Sequence, residues 1–208
     1  MRILGLDEAG RGSVLGPLVV GGFCWDNEDQ APLRAAGAAD SKVLSPRRRE
    51  LALKALSQLG QGFARQSSAV EVDAGNLNEL EIGHFVALIK ETRPDRVYLD
   101  APVHPRGIPK LCARLTAETG VRDLVVEPKA DATWPVVGAA SIFAKVSRDS
   151  ELSCLTAIHG PIGSGYPSDP ATRDHLLALI QAGTRMPPYV RTRWGTLGGL
   201  QQQALFQP

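Results

Sequence analysis

The sequence predicts a mixed α/β fold: a five-stranded sheet flanked by helices, with a short helical or irregular C-terminal tail from about residue 184. Two observations carry this prediction. Three strand-like runs come first and can pair as an antiparallel meander. Helices then alternate with the remaining strands, and strands joined through crossover helices add in parallel. A length of 208 residues suits one domain with its own core, so residues 1–208 read as a single domain.

The elements follow in order. Residues 2–7 (RILGLD) and 14–25 (VLGPLVVGGFCW) are strand-like apolar runs either side of a Gly-rich turn. The stretch 27–45, with Pro32, Gly37 and the polar ADSKVLS, reads as loop. Ser45-Pro46 is an N-cap followed by proline at the first helical position, opening a helix that stops at Gly60. Residues 62–72 suit a third strand. Leu77, Leu80, Phe85, Leu88 and Ile89 recur at roughly helical spacing between Asn76 and Thr92. RVYLD (96–100) is a short strand ending in an acid, 108–119 a helix, and DLVVEP (123–128) a fifth strand. A long helix of small and apolar residues covers 139–158, and another runs from Pro170 to Gln181. Beyond Gly183 the tail is rich in Pro and Gln.

Composition excludes more than it selects. Hydrophobic residues are 43% and charged residues 22%, ordinary for a globular chain. A formal net charge of +1 leaves any nucleic-acid surface to a local patch. Cys24, Cys112 and Cys154 are scattered, odd in number and without C-x-x-C spacing, as expected of small buried hydrophobes in a reducing compartment. No signal-peptide pattern opens the chain and no apolar run nears the ~18–20 residues that span a bilayer. A cytoplasmic protein is expected.

The acids are placed unusually. Asp7 and Glu8 close the first strand, Asp100 closes the fourth, and Asp131 stands in EPKADATWP just before the long helix. If strands one and four are neighbours, their last residues share one edge, where open α/β sheets tend to bind ligands. Converging carboxylates repel, and divalent cations relieve that repulsion; oxygen ligands suit hard ions such as Mg²⁺ or Mn²⁺. Two such ions would suit phosphoryl transfer. A strand-terminal Asp can equally be a turn former, and Asp131 a helix cap.

Gly10-Arg11-Gly12 follows the acids directly. It is not a dinucleotide fingerprint, because Leu15 stands where G-x-G-x-x-G needs its third glycine, and a strand follows in place of a helix. A tight hairpin explains the glycines but not the arginine between them. Backbone amides in such a turn can bond a ribose 2′-hydroxyl. Arginine can hold a neighbouring phosphate in a forked contact.

Five blocks, GLDEAGRGSVLGPLVV, DSKVLSPRRRE, YLDA, KADATWPVVGAASIFAKVSRD and GSGYPSDP, resemble in order those of ribonuclease HII, the type 2 ribonuclease H family. The resemblance spans about residues 2–195, and the KAD block and VR…W tail are more similar to the archaeal form and the eukaryotic catalytic subunit than to the usual bacterial pattern. It implies a ribonuclease H-like fold and a metal-dependent nuclease with a catalytic and metal-binding quartet at Asp7, Glu8, Asp100 and Asp131. It implies that Gly10, Arg11 and Gly12 read the 2′-hydroxyl and that Tyr166 packs against the nucleotide beside the cut. Lys42, Lys145 and Arg148 match basic positions near the nucleic-acid backbone. For Lys145 and Arg148 a solvated helix face is the rival reading, and for Tyr166 a turn residue beside Pro167. Ser141 and Asp149 belong to the same blocks. The family usually has serine before the tail tryptophan, where this chain has Arg193 before Trp194, which leaves the role of the tail open. QQQALF resembles a sliding-clamp motif only weakly.

The expected activity is endonucleolytic hydrolysis of the RNA strand in RNA/DNA hybrids and cleavage 5′ of ribonucleotides embedded in duplex DNA, by two ions (Mg²⁺ or Mn²⁺), leaving 5′-phosphate and 3′-hydroxyl ends. A monomer without membrane contact is expected. Within the fold the rival is ribonuclease HIII, which usually carries lysine between the glycines, glutamate as the later acid and an extra N-terminal domain; Arg11, Asp131 and a chain that starts in the strand favour HII. A metal-free nucleic-acid-binding module is the rival of another class, and it would be hindered by clustered acids. The four histidines show no H-E-x-x-H spacing, and Ser164 is not in G-x-S-x-G.

Overall fold

The protein is seen here as a computed structural model that describes residues 1–38 and 44–206. The strands are β1 (Ile3–Ala9), β2 (Leu18–Trp25), β3 (Gln61–Ser67), β4 (Arg96–Asp100) and β5 (Asp123–Glu127). They form one sheet in the order β3-β2-β1-β4-β5. β1 is antiparallel to β2 and parallel to β4, and β4 is parallel to β5, so the expected mixed sheet is present. The helices are α1 (Ala31–Ala35), α2 (Pro46–Leu56), α3 (Ala69–Ala74), α4 (Leu77–Thr92), α5 (Ile108–Thr119), α6 (Ala130–Thr133), α7 (Pro135–His159), α8 (Pro170–Gln181) and α9 (Gly195–Phe206). Among the described residues no helix is long and apolar enough to cross a membrane.

The chain divides into two compact units. The first comprises Met1–Ala9, Val19–Arg65 and Asn78–Ser147. Its sheet alternates by twos, as a pleated strand must. Leu4, Leu6, Val20, Val97 and Leu99 pack with Ile82, Phe85 and Ile89 of α4 and Leu111 and Leu115 of α5. The opposite face puts Ile3, Phe23 and Tyr98 with Val136, Val137 and Ala140 of α7. On that face two strand positions are glycine. A Cβ on Gly5 would lie 2.1 Å from the Val136 carbonyl oxygen, and one on Gly21 would lie 2.1 Å from that of Ala140. The helix therefore rests on backbone, which no residue with a side chain permits at these positions.

The second unit comprises Gly10–Leu18, Gln66–Leu77 and the chain from Arg148 onward. Val14, Leu15, Leu152, Ile162, Leu176, Tyr189, Val190, Leu197 and Leu200 form its core.

Several boundaries differ from the sequence reading, each for a physical reason. Strand two begins at Leu18, not at residue 14. Pro17 has no N–H to give a ladder, and the amides before it are bonded elsewhere: Val14 and Leu15 donate to Gly165 O (2.8 and 3.2 Å) and Gly16 to Tyr189 O (2.8 Å). Strand three ends at Ser67 because Ser68 and Glu71 form a capping box that opens α3. The Ser68 amide donates to Glu71 Oε2 (2.7 Å) and the Glu71 amide to Ser68 Oγ (3.2 Å). The S-x-x-E spacing of Ser68 and Glu71 is a local helix-start signal that the strand reading of 62–72 did not include. Ser68→Ala is expected to destabilise the protein by about 1 kcal/mol, lowering the melting temperature by ~2–4 °C for a chain of this size; calorimetry checks it.

The stretch read as loop contains α1, with proline in its first turn and one buried anchor, Leu33. The tail contains a regular helix, α9, with Leu197 and Leu200 buried at i, i+3. α7 starts at Pro135, four residues before the position expected, and α2 closes at Leu56. The cysteines are free, but only Cys24 is buried; Cys112 is half-buried and Cys154 exposed, so the expectation of three buried thiols fails.

Candidate active site

In the first unit, β1 and β4 are adjacent and parallel, with Leu6 opposite Leu99. The next residues in this register are Asp7 and Asp100, and Glu8 follows. One carboxylate oxygen from each of Asp7, Glu8 and Asp100 lies within 4.8 Å of the others. Two acids at one strand end and a third at the neighbouring strand end thus meet through topology alone. Asp7 has Gly21 as its β2 partner. Its side chain is 4% exposed, accepts the Glu8 amide at Oδ1 (2.8 Å) and is hydrogen-bonded to the Ser141 side chain of α7.

Burial pushes the Asp7 carboxyl well above the usual carboxylate range; Glu8 and Asp100 add to this, while the bonds from Ser141 and Glu8 N oppose it. Three hard oxygen donors that concentrate negative charge, one of them desolvated, fit a divalent cation, which would compensate that charge. Ser141 is the orienting partner of Asp7, a role the sequence left open. Ser141→Ala is expected to weaken Mn²⁺ affinity by about tenfold, as read by isothermal calorimetry.

Asp131 stands outside the three-carboxylate cluster. It is 2% exposed and lies inside α6, whose N-cap is Lys129 in a left-handed conformation. It is therefore not the cap of α7. Its neighbour Ala130 donates its amide to Asp100 Oδ1 (3.0 Å), which ties α6 to the third acid of the cluster.

The second unit holds the Gly-rich turn. Gly10 has φ +82°, and the turn closes through the Ser13 amide and hydroxyl on Gly10 O (3.3 and 2.8 Å). The Gly10 amide donates to the Tyr166 hydroxyl (3.3 Å). Tyr166 is 37% exposed, and its loop is built by side chains: Asp169 accepts the Ser164 amide, and Thr172 Oγ1 accepts Gly165 N–H (2.9 Å) and donates to Ile162 O (3.1 Å).

Arg148 is 3% exposed, which removes the solvated-face reading for it. Its Nη2 donates to Ser164 O (3.0 Å) and its guanidinium lies 4.8 Å from the Tyr166 ring centroid. Burial lowers the pKa of this guanidinium. Lys145 is half-buried on α7 in the first unit, and Lys42 lies outside the described residues. Arg191, which the sequence reading did not single out, is fully buried beside the turn; burial and then Arg148 bring its guanidinium down to about 10. Only the VR of the tail hinted at it. Arg193, the departure from the family pattern, donates from Nη1 to Asp73 O (2.8 Å), while the Asp73 carboxylate accepts the Thr192 hydroxyl (2.7 Å).

A sheet of this order, flanked by helices and carrying an acidic cluster at the ends of two central parallel strands, has the plan of a ribonuclease H-like, metal-dependent nuclease. The family model for ribonuclease HII matches residues 4–197. Ribonuclease HII of Thermococcus onnurineus is 39% identical over 98% of this chain and 91% of that one. The crystal structure of ribonuclease H2 from Pyrococcus horikoshii superposes with a TM-score of 0.88 at 36% identity, covering 100% of both chains. The structure of the PCNA:RNase HII complex from Archaeoglobus fulgidus gives 0.87 at 40% identity, covering 96% of this chain and 97% of that one. The chain belongs to the ribonuclease HII family. It is a ribonuclease H, a divalent-metal-dependent hydrolase acting on RNA/DNA hybrids.

Proposed function

We propose that this ribonuclease H also cuts duplex DNA on the 5′ side of a single embedded ribonucleotide, acting as a monomer in the cytoplasm. The observation that carries the cutting reaction is the convergence of Asp7, Glu8 and Asp100 within 4.8 Å. Asp131 is proposed as the fourth acid of the site, on the strength of the family motif and of its place beside Ala130. Two divalent ions, Mg²⁺ or Mn²⁺, held by these carboxylates would supply an activated water and stabilise the leaving oxygen.

The chain's own part is positioning. Ser141 and the Glu8 amide fix the Asp7 carboxylate before substrate arrives, so little reorganisation is left for the reaction itself. The Ala130 amide does the same for Asp100. Water adds to phosphorus, the bond from phosphorus to the 3′-oxygen breaks, and a 3′-hydroxyl and a 5′-phosphate remain.

Recognition is assigned to the turn that follows the acids in the chain, with Ala9 alone between Glu8 and Gly10. Backbone amides of Gly10-Arg11-Gly12 would bond the ribose 2′-hydroxyl, the group that separates RNA from DNA. Tyr166, held against Gly10, would pack on the nucleotide beside the cut. Lys42, Lys145 and Arg148 are the proposed basic neighbours of the backbone, with Arg148 acting through the Tyr166 loop.

The test is cleavage of a duplex with one ribonucleotide, in Mg²⁺, Mn²⁺ or EDTA, beside an all-DNA duplex and a long hybrid. A metal-dependent cut 5′ of the ribonucleotide supports the reading. Cleavage of the long hybrid alone overturns the single-ribonucleotide activity and restores the ribonuclease HIII-like reading. Tight binding without any cleavage would return the binding module.

A further inference from the structure

The tail motif VRTRW buries an arginine completely. Among the described residues Arg191 is the largest side chain with no exposure. Its Nε–H donates to Gly16 O (3.1 Å) and its Nη1–H to Arg11 O (3.2 Å), so one rigid fork holds two carbonyls of the same turn. The Trp194 ring lies against it, 5.2 Å from the guanidinium carbon to the ring centroid. Its own amide donates to Val14 O (2.8 Å), which sets the arginine in register with the turn.

The bond to Arg11 O has a directional consequence. The peptide between Arg11 and Gly12 is planar and trans, so its C=O and N–H point in opposite directions. With the oxygen drawn onto a buried guanidinium, the Gly12 N–H is turned to the other side. Gly12 is exposed, and a Cβ built there meets nothing within 4 Å. A glycine in so open a place has little else to fix its peptide, because it carries the largest backbone freedom of any residue.

We propose that Arg191 is a positioning residue that sets the ribose preference of the enzyme: by pinning Arg11 O and Gly16 O it aims the Gly12 N–H outward to receive a 2′-hydroxyl. This rests on the reading of the turn as the ribose sensor. Arg191 touches no substrate in this scheme; it acts through the turn.

The test compares two duplexes that differ in one 2′-hydroxyl, with affinities measured by fluorescence anisotropy in EDTA for the wild type, R191K and R191M. One hydrogen bond gives the wild type a preference of about 3–10-fold for the ribonucleotide duplex. R191K, whose ammonium lacks the planar fork that fixes both carbonyls at once, and R191M should bring that ratio to about one. Affinity for the all-DNA duplex should change less than about twofold, since it does not depend on the sensor. R191K keeps charge and length, so it carries the test if R191M fails to fold. A variant that melts lower yet keeps the wild-type preference shows a merely structural role and overturns the proposal. A wild type with no preference overturns the sensor reading itself, and the Arg191 proposal with it.

Discussion

Asp7→Asn is expected to lower cleavage of an RNA/DNA hybrid by about a thousandfold, the upper range for removal of one preorganised group that stabilises developing charge. The substitution is nearly isosteric. Asn keeps an oxygen to accept the Glu8 amide, so the end of β1 should keep its shape. What it loses is one of three charges gathered within 4.8 Å. In EDTA the variant should melt no lower than the wild type, because the carboxylate it replaces is desolvated and faces Glu8 and Asp100. The two readouts together separate chemistry from folding. Activity in Mg²⁺ and Mn²⁺ and a melting curve in EDTA suffice, and an active Asp7→Asn enzyme would remove Asp7 from the metal site.

Gly10→Ala is expected to abolish most cleavage at a single ribonucleotide, by about a hundredfold or more, the penalty for misplacing a substrate by roughly 1 Å. Two independent obstacles act at this position. The backbone has φ +82°, where a side chain is strained. An added Cβ would also lie 2.5 Å from Arg148 Nε and 2.6 Å from Pro17 O. The arginine end can shift, but the Pro17 carbonyl is backbone and cannot without moving the turn. The Gly10 amide would leave the Tyr166 hydroxyl, and the loop and tyrosine would lose their common anchor. Steady-state kinetics on the single-ribonucleotide duplex, with circular dichroism as the folding control, test this. Wild-type kcat/KM in the variant would show that the turn does not read the sugar.

The convergence of Asp7, Glu8 and Asp100 was legible because its signal is topological. A strand that ends in Asp-Glu and another that ends in Asp become neighbours once the helix–strand alternation places β4 beside β1. The readings of a strand at 96–100 and of helices at about 108–119 and 170–181 coincide with β4, α5 and α8. What stayed hidden depends on distant partners. Residues 14–17 look like a strand, yet their amides bond Gly165 and Tyr189, which no local pattern announces. Ser141 is one small residue among many in α7 until Asp7 is placed beside it. Arg191 reads as one more charge in a basic tail, because burial of an arginine against backbone carbonyls has no periodicity. The α3 cap is the opposite case, a local S-x-x-E signal that the strand reading of 62–72 passed over.

The glycines under α7 have a consequence for how this protein can vary. At positions 5 and 21 the nearest obstacle to a side chain is main chain, so no compensating change elsewhere makes room. A library randomised there should return glycine alone among active clones, whereas Leu4 or Leu6, whose neighbours are side chains, should admit volume-conserving swaps. Because Gly21 is the β2 partner of Asp7, the same close approach sets how deep Asp7 sits beneath α7.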